Sequence, residues 1–126
     1  MRLRQERGQA LVEFALVLPL FATLLFAIIQ FGIVLNHYLV LVDAVRAGAR
    51  QASVSRLDPD PAGKTVAAVR SAGSGLDGTQ LGVTVTSTWQ RGSGVTVAGS
   101  YPYAIDVLGV VVKSGNLTSS TTEAVE

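Results

Sequence analysis

Apolar residues form one long unbroken block early in the chain and then recur in short alternating groups. No Asp, Glu, Lys or Arg occurs from Phe14 through Val42. Leu16, Val17, Leu18, Leu20, Phe21, Leu24, Leu25, Phe26, Ile28, Ile29 and Phe31 would point to every side of a helix, with Thr23 and Gln30 as the polar interruptions. A soluble core helix keeps a polar face, and this one has none. The hydrocarbon core of a bilayer needs roughly 20 apolar residues at about 1.5 Å rise each, so the block predicts a transmembrane helix over about 14–42. Helical spacing continues beyond it, with Asp43, Arg46 and Arg50 three and four residues apart. The whole element is expected to run from residue 9 to about Ser55, roughly 70 Å at the helical rise. Its outer part must therefore pack on something other than lipid. Ala44, Ala47, Gly48, Ala49 and Ala52 give it a small-residue surface that another helix or a sheet can approach closely. Pro19 lacks an amide hydrogen and crowds the carbonyl of Ala15, which predicts a kink or local melting there.

The remainder reads as a small α+β module. Asp58-Pro59-Asp60-Pro61 is a stop, with Asp60 as N-cap and Pro61 at the first position of a short helix ending near Gly73. Val66, Ala67, Val69 and Ala72 give that helix a modest apolar face, and a Gly- and Ser-rich loop follows to Gly82. Val83, Val85, Val95 and Val97 alternate with Thr84, Thr86 and Thr96, and Arg91 to Gly94 supply turn residues, a hairpin pattern. Tyr101, Pro102 and Tyr103 lead into a run from Ile105 to Val112, and Leu117 to Val125 supplies a last strand. The expected fold class is α+β: a long N-terminal transmembrane helix, then a module of three or four antiparallel strands with one short helix. The expected divisions are a basic leader at 1–8, the helix at 9–55 and the module at 59–126. The apolar run from Val107 to Val112 is too short for a second span and is bracketed by Asp106 and Lys113.

Composition narrows the chemistry. The chain has 126 residues, room for one domain, and at 48% hydrophobic residues with a mean hydropathy of +0.42 it is too apolar for a disordered tail. A net charge of +1 offers no field to attract nucleic acid, so no nucleic-acid partner is expected. With no cysteine there is no disulfide, no thiolate nucleophile and no Cys metal site. His37 has no second His or Cys to join, so it reads as a polar interfacial residue beside Asn36 and Tyr38, and neither metal nor cofactor is expected. Asp58, Asp60 and Asp77 are candidates for a cation, but Pro59 and Pro61 and the lack of a ligand-spaced loop favour a turn and a helix cap. The Gly-rich stretches carry no phosphate-loop Lys and read as turns. No Ser, His, Asp set can be assembled with a second base, so no enzyme activity is expected. Asp43, Arg46 and Arg50 either pair with a partner subunit or form a solvated face.

Glu13 stands out at the mouth of the apolar helix. A carboxylate at membrane depth costs a few kcal/mol unless it is paired or protonated; otherwise it must sit at the headgroup level in water. Arg2, Arg4 and Arg7 precede the span and Arg46, Arg50 and Arg56 follow it, an even count. The closer packing of the leading arginines favours a cytoplasmic N-terminus. Gly8 directly follows that basic leader, and Glu13 stands five residues after Gly8 with Phe14 next: R-G-Q-A-L-V-E-F. Gly8 is either a flexible residue before a helix or part of a recognition sequence.

This stretch resembles a type IV prepilin cleavage site. The resemblance implies that the basic leader stays in the cytoplasm and that a membrane-embedded aspartyl prepilin peptidase cuts after Gly8. The cut frees the amine of Gln9, the apolar helix remains as anchor, and the new ammonium pairs with Glu13 between neighbouring subunits. The longer pattern, G-Q-A-L-V-E-F-A-L-V-L-P-L, then Q-F-G at Gln30 to Gly32, then D-A-V-R-A-G-A-R at Asp43 to Arg50, is similar to the TadE-like family of pseudopilins of the tight-adherence pilus. It covers about Gly8 to Arg50, with a weaker echo at Tyr101 to Tyr103 and in the Ser- and Thr-rich tail.

The likeness implies a minor pilin or pseudopilin, single-pass in the cytoplasmic membrane, with its module outside. Its implied partners are the prepilin peptidase, other pilins and pseudopilins, the pilus assembly platform and the lipid bilayer. The implied processing residues are Gly8, Gln9 and Phe14, and Glu13 is the assembly residue. Pro19 either softens the helix for transfer from bilayer to filament or is an ordinary transmembrane proline. Two other readings compete. Ala47-Gly48-Ala49 would release a secreted β-rich binding protein after Ala49, although the apolar block is long for a signal peptide. An uncleaved single-span anchor would leave the Gly8 to Glu13 spacing as coincidence.

Overall fold

The computed structural model describes residues 2–126, so residue 1 of the expected leader lies outside the described residues. The first element, α1, is a single helix of 52 residues, Arg2–Ser53, about 80 Å long at the helical rise. It begins inside the basic leader: Arg, Leu, Gln and Glu are good helix formers, and Gly8 alone does not stop the propagation. The helix runs unbroken through Pro19, where the Thr23 hydroxyl donates to the Pro19 carbonyl at 2.8 Å. It stops at Ser53, two residues before the expected end. Ser55 turns its hydroxyl back onto the Gln51 carbonyl, and its amide closes a turn on Ala52 at 3.1 Å.

The second helix, α2, spans Pro61–Ala72. Asp60 caps it by accepting from the Gly63 amide at 3.0 Å, Pro61 fills a first-turn position whose amide would have no partner, and the Gly73 amide closes the far end on Val69 at 2.8 Å. Three strands follow: β1 Gly82–Thr86, β2 Gly94–Val107 and β3 Val110–Ala124. They form one antiparallel sheet in the order β1-β2-β3. Val85 pairs with Val97, and Tyr101 pairs with Leu117.

The run from Ile105 to Val112 is not a single strand. A two-residue turn at Leu108-Gly109 divides it, Val107 pairs with Val110, and both central residues have positive φ, 53° and 83°, as a type I′ turn requires. The apolar residues on both sides of Leu108 conceal this turn from a reading of the pattern. The last strand therefore starts at Val110 rather than Leu117. Between Ile105 and Asp106 the register shifts and leaves Val112 unpaired, a bulge that adds twist near the turn.

The core lies between the outer part of α1, α2 and one face of the sheet. Leu41, Ala44, Val45, Ala49 and Ala52 of α1 are fully buried, as are Val69 of α2 and Val95 and Val97 of β2. Leu76, Leu81, Tyr101 and Val125 close the cluster. The small residues of α1 are thus used within the chain. A methyl at Gly48 would overlap the Val69 side chain and stand 3.5 Å from Val97; one at Gly99 would reach Val45 at 2.8 Å and Leu41 at 2.9 Å. The chain end is tied back to α1: Val125 and Gly92–Ser93 exchange two backbone hydrogen bonds of 2.8 Å, and the Glu126 amide donates to the Ser53 carbonyl at 2.9 Å.

Candidate functional site

The part of α1 that the module leaves uncovered holds every residue of the motif before and at the start of the apolar block. No atom outside the local helix lies within 4 Å of where a Gly8 side chain would stand. Gln9 reaches forward one turn, its Nε2 donating to Glu13 Oε1 at 3.3 Å. Phe14, next to Glu13, is 62% exposed. These positions share one end of one helix because all four fall within about two turns, and nothing from the sheet or α2 packs on them. Pro19 and its bonded Thr23 follow on the same uncovered stretch.

From Leu16 to Leu39 the large apolar residues remain exposed, among them Leu20, Phe21, Leu24, Ile28 and Phe31. This stretch is long and apolar enough to cross a membrane. Such a surface, turned outward on all sides, costs heavily in water and is at home against acyl chains or other apolar helices. The outer part of α1 has its apolar stripe already satisfied by the module. One helix therefore combines a free apolar half with a half committed to its own core.

The structure also places residues that the sequence reading used differently. His37 meets Tyr101 edge to face, with ring centroids 5.3 Å apart and planes at 71°; the interfacial position expected for it is one where helix meets sheet. Tyr101 is buried, and its hydroxyl accepts from the Asp77 amide at 3.2 Å. Its inward position follows the two-residue period of Val95, Val97 and Gly99, a signal present in the sequence. Asp77 itself accepts from the Thr79 hydroxyl at 2.7 Å and from the Thr79 amide at 3.0 Å. Those two donors, the hydroxyl first, hold its carboxyl below the ordinary carboxylate value. Asp58 pairs with Lys64 at 3.3 Å, the one ion pair among the described residues. Asp43, Arg46 and Arg50 are exposed.

Two hollows mark the sheet. One, about 250 Å³, lies over Thr84, Ser100, Thr118 and Ser120 and has no titratable side chain in its lining. The other, about 490 Å³, lies between α1 and the far end of the β2–β3 hairpin, lined by Phe31, Val34, Tyr38, Ile105 and Lys113 among others. Compared with known proteins, residues 8–50 match the family model described as TadE-like protein. No curated protein and no solved structure matches the chain. The matched stretch contains Gly8, Glu13 and Pro19, and Ala44, Gly48 and Ala49 under the module, and the family is associated with the tight-adherence pilus.

Proposed function

From the TadE-like match of residues 8–50, we propose that this protein is a minor pilin or pseudopilin of a tight-adherence type pilus, matured by a prepilin peptidase that cuts after Gly8. The observation that carries the proposal is the division of α1. Its inner half is apolar and exposed on every side, while its outer half is fixed to the module. A subunit built this way stays in the membrane through the free half, then exchanges lipid for the helices of neighbouring subunits without unfolding its module.

Cleavage suits the local chemistry. A peptidase needs the chain extended across its carboxylates, so about a turn of helix around Gly8 must open. Glycine is about 1 kcal/mol poorer than alanine in a helix, which lowers the cost of that opening, and the space around Gly8 is free. The released amine of Gln9 then lies one turn from Glu13. In the low dielectric of a helix bundle, an ammonium from one subunit and the Glu13 carboxylate of the next give a contact that rewards one axial register over others, even where its net energy is small. The chain acts by packing rather than catalysis, with its N-terminus on the cytoplasmic side and its module outside.

The N-terminus of the protein recovered from membranes, measured by intact mass in cells with and without the peptidase, tests this reading. A chain beginning at Gln9 only when the peptidase is present is the expected result. An N-terminus at Arg50 would identify a secreted domain, and an unprocessed chain in both strains would leave a plain membrane anchor.

A further inference from the structure

The β2–β3 hairpin runs down α1 toward the membrane segment. Val97 lies by Gly48, Gly99 by Leu41 and Val45, Tyr101 against His37, and Ile105 and Lys113 share a hollow with Phe31 and Val34. Each step along β2 is thus a step back along the helix. Leu108, at the turn, is three residues beyond Ile105, about 10 Å further along at the strand rise. If the hydrocarbon begins at Phe14, beside Glu13, then about 20 residues and 30 Å bring its other boundary to the level of Val34. Lys113 stands at that level, where a lysine can keep its ammonium among headgroups.

Beyond Lys113 the hairpin exposes Leu108, Val110, Val111 and Val112, 59–68% exposed, together with one carboxylate, Asp106, which is exposed opposite Val111 and must stay at the headgroup level. The turn geometry makes the apex informative. With φ of 53° at Leu108, Asn, Asp or Gly is the favoured residue, and a leucine in the left-handed region costs about 1–2 kcal/mol. The most conspicuous side chain of the turn is therefore apolar where local geometry favours a polar one.

We propose that the tip of the β2–β3 hairpin is a second membrane contact, inserting Leu108 and Val110 of the turn into the upper acyl region of the leaflet on the module's side, with Asp106 and Lys113 at the headgroup level. Continuity with the apolar surface of α1 selects lipid as the occupant: Ile105 and Lys113, just above the tip, share a hollow with Phe31 and Val34 of that helix, which sets the tip at a depth of about 5–10 Å typical of interfacial elements. The depth is limited because the outer edges of β2 and β3 carry backbone groups without strand partners at this end, and such groups must remain near water. The contact would fix the tilt of the module on its helix while the subunit waits in the membrane. It rests on α1 being the span, independently of any pilus.

The chain has no cysteine, so single probes can be placed in the full-length protein. Leu108→Cys, Leu24→Cys and Thr84→Cys, each carrying an environment-sensitive fluorophore, are compared in phosphatidylcholine–phosphatidylglycerol vesicles. Quenching is read with aqueous iodide and with nitroxide placed high on the lipid acyl chain. The expected result is a blue-shifted Leu108 probe, quenched by the nitroxide lipid and shielded from iodide at every protein-to-lipid ratio, with the Thr84 probe behaving oppositely. Iodide quenching of the Leu108 probe equal to that at Thr84, with Leu24 still shielded, overturns the proposal and leaves the span intact. Shielding at Leu108 that disappears on dilution into lipid also overturns it, because a second copy was then the occupant. An iodide-accessible Leu24 probe would instead overturn the span itself.

Discussion

Among the described residues, Glu13 meets only the side-chain amide of Gln9, with no cation paired to it at the edge of the apolar block. Under the proposed function, Glu13→Gln leaves processing after Gly8 intact by mass, because the scissile glycine and the leader are untouched. The same variant abolishes or sharply reduces piliation, scored by electron microscopy, because the pairing partner of the new amine is gone. Unaltered piliation would refute the assembly role. Asp77 offers a titration at the same scale. Its carboxyl is held below the ordinary value by Thr79, so its folded form binds a proton less readily than its unfolded form. The stabilisation is complete above the ordinary carboxylate value and disappears as pH falls through the lower folded value. Melting temperatures of wild type and Asp77→Asn should therefore differ at neutral pH and converge on the acid side. The difference will be small, because the group is exposed.

Helix α1 joins two environments, and their energetic demands are separable. In its outer half Gly48 packs against Val69 of α2 and Val97 of β2, so Gly48→Val must displace Val69 or open the helix from the sheet. Overpacking of this kind costs about 1–3 kcal/mol, visible as a lower melting temperature of the full chain in detergent, with the membrane anchoring unchanged. The hairpin is the converse case. Leu108→Asn relieves the left-handed strain at the turn and should raise hairpin stability by about 1 kcal/mol, measured in the same melts. If the tip meets lipid, that gain is smaller for the full chain in vesicles than in those detergent melts, because the variant loses an apolar contact there. A variant that is at least as well folded yet inserts less deeply separates strain from function.

At the scale of the whole molecule, the chain end decides how firmly the module is locked to the helix. Val125 is 2% exposed, and the last two residues supply backbone hydrogen bonds to Ser53, Gly92 and Ser93. Removing Val125 and Glu126 should lower stability by about 2–4 kcal/mol, from the lost apolar burial and the hydrogen bonds left unmade. Thermal melts of the shortened chain check this. Val125 belongs to the same buried cluster as the α1, α2 and β2 core residues, so the loss should be felt globally rather than as local fraying.

The sequence alone determined whatever depends on near neighbours. The apolar block, its missing polar face, the Asp60–Pro61 start of α2 and the Val–Thr alternation of β1 and β2 all express interactions within a few residues, at spacings fixed by helix and strand geometry. Gly8, Gln9, Glu13 and Phe14 were recognisable for the same reason: one stretch of chain carries the whole motif. Tertiary structure decided what depends on contacts between distant residues. It gave Gly48 and the alanines around it to α2 and the sheet, set the interfacial His37 against Tyr101, and fixed Ala124 opposite Gly94. It also opened a turn inside the run from Ile105 to Val112, because chain reversal there is stabilised by pairing across strands rather than by a turn-forming residue at Leu108. The level at which that turn meets the helix is set by packing between elements far apart in sequence, and no local pattern encodes it.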